Sequence, residues 1–300
     1  MGLGARLRGG MRLTRQAAGS VLLVLDPDLV APAMARRRLG GPPVVVDVHE
    51  DYVKLVLDRG WPAAQVTAVR SGLRWVNDLT ARADLTVVAD DQVPPLRARN
   101  RLVVRNTPES GYLPDPADPA ERPRALYVGD VRRTRGAFDM VRAIAQVPDW
   151  TLDVVGPVAP SELDELLALI KSEAVDDRIQ LHGRQPPEAA WSMAADAWVG
   201  LSLLHETPAF VEALPTKVVE YLSAGLPVLA SRLPRQASLL SQSGAGVVVP
   251  VDGAAAVLRR WLDDPGELLA LRQRARSWSA SRPDSGEYRR LAAAIAELVP

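Results

Sequence analysis

Two glutamates stand eight positions apart, Glu212 and Glu220, in the stretch HETPAFVEALPTKVVEYLSAGLPVLAS (205–231). Pro215, Thr216 and Lys217 lie between them. Proline suits the first turn of a helix, where its missing N–H costs nothing, and Gly225 suits the stop. The spacing therefore predicts a helix from about Pro215 to Ala224. A lysine in the first turn opposes the helix dipole, so Lys217 fits an anion nearby. A buried carboxylate needs a donor, and sugar hydroxyls are good donors to one. A capped helix carrying a surface glutamate accounts for the same residues equally well.

Two further stretches carry chemistry. In YVGDVRRTRGAF (127–138) an apolar run ends at Val128, and Gly129, Arg132, Arg133, Arg135 and Gly136 follow before a helical pattern. A loop that opens a helix presents N–H groups, and guanidinium forks match phosphate. A solvated surface loop is the competing account. In VVVDVHEDY (44–52) a continuous apolar run is followed by Asp47, His49, Glu50 and Asp51. Polar residues at the carboxyl end of a parallel strand occupy the usual site position, and imidazole suits hydrogen bonding or proton transfer. A structural histidine explains His49 as well. His182 and His205 read as structural.

The elements that must position these residues alternate. SVLLVLD (20–26), PVVVDV (43–48), ADLTVVA (83–89) and RLVVRN (101–106) read as buried strands with helical-period segments between them. After the proline-rich stretch GYLPDPADPAERP (111–123) the alternation resumes. RALYVGD, WTLDVVGP, RIQLHG, AWVGLSLL, LPVLAS and GVVVPV read as strands, and SELDELLALIKSE as a helix opened by Ser161. Such alternation implies parallel sheets covered on both faces. The expectation is an α/β chain of two Rossmann-like doubly wound domains, the N-terminal one truncated. The expected bounds are 1–112 for the first domain, 113–123 for a linker and 124–284 for the second domain. A final amphipathic helix in 285–300 packs back on the first domain. Two such domains would form a cleft.

Composition excludes several classes. The 300 residues hold 36 basic and 36 acidic side chains, so no nucleic-acid surface is expected. No cysteine is present, which removes thiolate metal sites and cysteine nucleophiles. Three histidines argue against a histidine metal site. The first 20 residues carry four arginines, no acid and no apolar signal-peptide core. The expected compartment is the cytoplasm. The arginines are either solvated or lie along anionic lipid as a peripheral membrane contact.

Taken together, these residues resemble one family, the retaining glycosyltransferases of GT-B fold and family 4 type (glycosyl transferases group 1), with the best match over 124–251. VEALPTKVVEYLSAGLPVLAS is similar to that family's E-x7-E signature, with Glu212 and Glu220 at its glutamates and Gly225 and Pro227 at the closure. YVGDVRRTRG looks like its glycine loop and basic segment, VVVDVHEDY like its histidine strand end, and RIQLHGRQPPEAAWSMAADAWVGL like its base-holding segment.

The resemblance implies roles. Glu220 would bind the ribose of a nucleotide-sugar, and Glu212 would face the sugar at the reacting centre. Arg135 would neutralise the diphosphate at Gly129. Asp130 stands where the family has an arginine, and Arg132 or Arg133 would supply the second positive charge. Lys217 and the backbone from Leu214 through Pro215 to Thr216 would sit near the distal phosphate. Gly183 and Arg184 would lie in the base-holding turn. His49 would contact the donor sugar or phosphate. No metal or other cofactor is expected. The resemblance begins near GSVLLVLDPDLVAP, so 70–80 residues of the usual N-terminal domain lack a counterpart. That leaves an acceptor unspecified and allows a protein partner that completes the domain. A non-catalytic nucleotide-sugar-binding or partner subunit is the alternative reading, and a GT-B sugar-nucleotide epimerase a third.

Overall fold

The computed structural model describes residues 3–59, 62–108, 113–281 and 286–299. The chain divides into two compact units, Met1–Asn106 with Asp284–Pro300, and Thr107–Pro283. The first unit contains α1 (Leu3–Gln16), β1 (Leu22–Val24), α2 (Pro27–Arg38), β2 (Val44–Val48), α3 (Tyr52–Leu55), α4 (Ala63–Thr80), β3 (Leu85–Val88) and β4 (Arg101–Val103). Its sheet is parallel, in the order β1-β2-β3-β4. Alternate residues of β2 face opposite layers, as the two-residue period requires. Val44, Val46 and Val48 pack with Val30, Ala33 and Met34 of α2, whereas Val45 joins Leu85 and Val87 on the other face.

The second unit runs β5 (Arg124–Val128), α5 (Ala137–Ala145), β6 (Thr151–Val155), α6 (Leu163–Ser172), β7 (Ile179–Gly183), α7 (Pro187–Ser192) and β8 (Val199–Ser202). It continues with α8 (Thr216–Ser223), β9 (Val228–Ser231), α9 (Pro234–Ser243), β10 (Gly246–Val249), α10 (Ala254–Asp263) and α11 (Pro265–Ser281). All six strands are parallel, in the order β10-β9-β8-β5-β6-β7. The chain winds outward from β5 to β7, then returns to β5's other side as β8 and winds the opposite way. The strand order therefore reverses between β5 and β8, and ligands bind such sheets beyond the carboxyl ends at that point. One face of the sheet is filled by Trp150, Trp261, Phe138 and Ile144, the other by Trp191, Tyr221 and Leu222. These tryptophans serve packing, with Trp150 edge-on to Trp198 at 5.8 Å.

The last helix, α12 (Glu287–Ala296), belongs to the first unit. Leu291, Ala294 and Ile295 cover the face holding Val45, Leu85 and Val87. The buried Glu287 carboxylate accepts from the Arg105 backbone N–H at 2.7 Å and from its guanidinium at 2.9 Å.

Two local expectations change. Of the expected linker stretch, residues 111 and 112 lie outside the described residues, and the rest is no free tether. Ala117 and Ala120 donate backbone hydrogen bonds to Ala195 and Asp196, the Arg272 guanidinium holds the Ala117 carbonyl at 2.7 Å, and Pro116 packs under Gly225. Proline suits this strap because an extended segment along a surface forgoes most backbone donors. Helix α6 begins at Leu163 with Glu162, not Ser161, before it, and no side chain caps it. The Glu162 carboxylate instead accepts from the Arg133 N–H at 2.6 Å.

Candidate donor site in the second unit

The loop after β5 (129–136) and the loop after β8 (203–215) flank the reversal point. Gly129 ends β5 at φ +137, and its N–H bonds the Val155 carbonyl at 2.9 Å. Gly156 ends β6 at φ +146, and a Cβ there would overlap the Gly129 carbonyl. Its N–H bonds the Gly183 carbonyl at 2.8 Å. Three glycines thus lace the carboxyl ends of β5, β6 and β7. Gly136, at φ +81, lets the arginine loop close against the Leu203 carbonyl. His205 ties the loops further, through its N–H to the Thr134 carbonyl at 2.9 Å and its ring to Asp139 at 2.7 Å.

Helix α8 forms because Val218, Tyr221 and Leu222 recur at helical spacing and bury one face. It closes in a Schellman turn: the Gly225 N–H bonds Leu222, the Leu226 N–H bonds Tyr221, and Gly225 has φ +69. Tyr221 fastens it to β5. The ring lies where a side chain at Gly200 would go, and the hydroxyl accepts from the Val128 N–H at 2.9 Å. Among the described residues no side chain caps the α8 N-terminus, the kind of helix start that can receive an anion.

This clamp places Lys217 beside Gly129. Its Nζ lies 3.3 Å from where a Gly129 Cβ would be and 3.9 Å from the centre of the Tyr127 ring. The residue is only 6% exposed, and Nζ has no hydrogen-bond partner among the described residues. Burial depresses the ammonium's pKa well below its ordinary value, and the charge of Arg135 adds to this while Glu220 and Asp130 oppose it. Arg135 stacks over Phe210 at 5.5 Å, and its charge also reaches Tyr127, whose hydroxyl donates to the Asp130 carbonyl at 2.6 Å. Burial pushes the Glu220 carboxyl up to about 7, with Lys217 opposing.

Glu220 has a stability consequence. An unfolded glutamate loses its proton near 4.5, whereas the fold holds it to about 7. Between those values the folded state binds more protons, so stability falls as pH rises, by about 3 kcal/mol at most. Glu220→Gln is expected to abolish this fall. Denaturant midpoints should match wild type at pH 4 and exceed it at pH 8. A wild-type midpoint equal to the variant's at both pH values would contradict the burial account.

The second unit brings Gly129, Arg135, Lys217 and Glu220 together. The other expected residues have different surroundings. Arg133 pairs with Glu165 at 2.5 Å and stacks on Phe138 at 3.8 Å, so its charge is directed to α6. Arg132, Arg184 and Thr216 are exposed, and Leu214 and Pro215 half-buried. Gly183 ends β7 at φ +65 with open space where a Cβ would stand. Glu212 is exposed in the loop after β8, where its carbonyl accepts from Arg235 at 3.1 Å. His49 follows β2 in the first unit, 3.6 Å from Asp47, whose pKa burial raises. His182 bonds Asp153 at 2.6 Å.

Sequence reasoning missed three supports. Tyr127 and Tyr221 sit within an apolar strand and helix, where they look like core. Gln236 is fully buried, donating to the Ser231 carbonyl at 2.7 Å and accepting from Ser202 at 3.1 Å, while Ser231 donates to Leu204 at 2.6 Å. This network fixes the root of the loop that carries Glu212. Only the polar residues at the ends of two apolar strands could have signalled it. Among the described residues no three His, Cys, Asp or Glu side chains gather as a cation site, and no helix is long and apolar enough to cross a membrane.

Comparison with solved structures gives the same architecture throughout the chain. Sucrose-phosphate synthase from Thermosynechococcus elongatus is 20% identical with a TM-score of 0.70, over 97% of this chain and 78% of that one. Anabaena HepE in complex with UDP-glucose is 14% identical with a TM-score of 0.72, over 98% and 82%. WaaG, a glycosyltransferase involved in lipopolysaccharide biosynthesis, is 16% identical with a TM-score of 0.64, over 97% and 95%. A search of curated protein sequences returned no match. The fold is GT-B, two Rossmann-like domains. The family model for glycosyl transferases group 1 matches residues 113–278, more than half of the chain and all of the donor-site elements. The chain belongs to the glycosyl transferases group 1 family.

Proposed function

We propose that this glycosyltransferase is a cytoplasmic enzyme of the retaining, family 4 type that moves a hexosyl unit from a nucleotide-sugar to an acceptor. The observation that carries the reading is the buried Lys217 ammonium with no partner among the described residues, beside the Gly129 turn and Arg135. A nucleoside diphosphate is the partner that such a group lacks. Arg135, Lys217 and the α8 N-terminus would hold its phosphates and stabilise the charge that develops as the sugar leaves, without a metal ion. Glu220, once ionised, would accept from the ribose hydroxyls. Glu212 would face the sugar ring, and the leaving phosphate would deprotonate the acceptor on the same face. HepE has been crystallised with UDP and with UDP-glucose, which supports this donor class.

Thermal-shift profiling against UDP, GDP, ADP and TDP and their sugars tests the reading. One base family should raise the melting temperature, and product NMR with that donor should give the donor's anomeric configuration. No shift with any nucleotide would end the proposal. Glu220→Ala should weaken nucleotide binding, and Glu212→Ala should mainly lower turnover. Equal affinity of the two variants by calorimetry would contradict the division. Arg135→Ala should lower nucleoside diphosphate affinity by about 1.5–3 kcal/mol, the scale of a charged hydrogen bond. Unchanged diphosphate binding would count against the site.

One observation favours a second reading, a nucleotide-sugar-binding subunit of a larger complex. Among the described residues strand β1 pairs on one side only, and Leu23 and Leu25 at this edge are about half exposed. An isolated monomer that transfers sugar unaided would refute it.

A further inference from the structure

Helix α1 is attached by a narrow face. Gly10 and Thr14 are its buried residues among those whose side chains are described. A Cβ at Gly10 would lie 3.2 Å from Leu29 Cδ2, so glycine lets α1 approach α2 without displacing that side chain. Thr14 turns its hydroxyl back to the Gly10 carbonyl at 2.9 Å, and Arg36 of α2 clamps the helix end through the carbonyls of Thr14 and Ala17. The rest of the last turns faces outward: Met11 at 43%, Leu13 at 61%, and the exposed Arg12 and Arg15. Met11, Arg12, Arg15 and Gln16 line a hollow of about 420 Å³. At the end of α2, near the Arg36 clamp, stand the exposed Arg38 and Leu39, the latter at 88%.

The charge that α1 itself carries is one-sided. No acidic residue precedes Asp26 in the chain. A solvated helix ordinarily interleaves acids with its arginines at i,i+4, and α1 has none. Asp28, whose carbonyl would stand 3.5 Å from a Gly10 Cβ, lies about 15 Å along α2 from Arg38. At the other end of α2 Asp84 pairs with Arg37 at 2.9 Å, leaving Arg12, Arg15 and Arg38 as the exposed charges of the outward face. A nucleic acid or an acidic peptide would match the arginines but give no reason for three exposed apolar side chains among them. An anionic bilayer matches both. Guanidinium groups bond the headgroup phosphates while leucine and methionine enter the acyl boundary. We propose that the exposed face of α1, with Arg38 and Leu39, docks on an anionic lipid surface.

Sedimentation of the full chain with vesicles tests this, using phosphatidylcholine alone and phosphatidylcholine mixed with phosphatidylglycerol. Wild type should sediment with the anionic vesicles only, and less as salt rises. Arg12→Gln with Arg15→Gln should lower partitioning roughly 30-fold, as two surface charges supply, and Leu13→Asp should lower it on its own. Each variant should keep the wild-type melting temperature and its shift with nucleotide. Equal binding to both vesicle types, no binding of wild type, or unchanged binding of the arginine variant would each overturn the proposal. Nucleotide binding is read separately, so failure here leaves the glycosyltransferase reading standing.

Discussion

Lys217→Met is expected to make the ligand-free protein more stable and its grip on nucleoside diphosphate weaker. The ammonium is removed from water against the Tyr127 ring, with no hydrogen-bond partner among the described residues, and an unpaired buried charge or amine costs free energy whichever form it takes. Methionine fills a similar volume without the polar atom. Stability at neutral pH should rise by about 1–2 kcal/mol, within the range seen when buried charges give way to apolar residues. Affinity for the diphosphate should fall by about 1.5–3 kcal/mol, the scale of a charge-assisted hydrogen bond. The pH dependence has a definite sign. The fold depresses the lysine pKa, so below the ordinary value the unfolded state binds the extra proton, and wild-type stability declines as pH falls. The advantage of Lys217→Met should therefore be largest near neutrality and shrink toward pH 10. Diphosphate favours the charged lysine, so binding should take up protons, which calorimetry in buffers of different ionisation enthalpy reads directly. A variant less stable than wild type with undiminished affinity would refute the assignment of Lys217 to the ligand.

The second large effect is expected at a glycine that touches no ligand. Gly156→Ala should destabilise the protein by about 3–5 kcal/mol, near the upper end for single substitutions. The added Cβ meets the Gly129 carbonyl, which is backbone and cannot rotate aside. The φ of +146 adds strain. The loop would have to move, and with it the wall against which Lys217 lies. Nucleotide affinity should therefore drop even at temperatures where the variant is folded. Gly183→Ala is the control. Its φ is +65, but a Cβ there meets nothing within 4 Å, so the cost should be about 1–2 kcal/mol of conformational strain. Denaturant unfolding of the two variants separates collision from dihedral cost. Equal losses would mean that the contact between Gly156 and Gly129 carries no energy.

Much of the fold is legible in the residues. The apolar runs at 43–48, 124–128 and 226–231 each contain a strand, because a strand buried on both faces cannot alternate. The start of α8 follows from Pro215 and its end from Gly225, both local backbone constraints. The arginine loop is different. Arg132, Arg133 and Arg135 look alike in sequence, yet Arg133 turns to Glu165 while Arg135 joins Lys217. What separates them is a carboxylate more than 30 positions away, which no window on the sequence reaches. The proline-rich stretch has a linker's composition and a strap's bonds, since Arg272 and residues 195–196 come to it from elsewhere in the chain.

By itself the sequence determined the alternating α/β order, the position of α8 and the spacing of Glu212 and Glu220, for these rest on periodicity, capping and backbone freedom. The tertiary structure decided which cations converge. Folding returns β8 to the side of β5, Tyr221 pins α8 against that edge, and a lysine 88 residues downstream of Gly129 is carried to the glycine turn and cut off from water. Desolvation and convergence depend on distances between segments remote in the chain, so the altered acid–base character of Lys217 and Glu220 exists only in the folded protein.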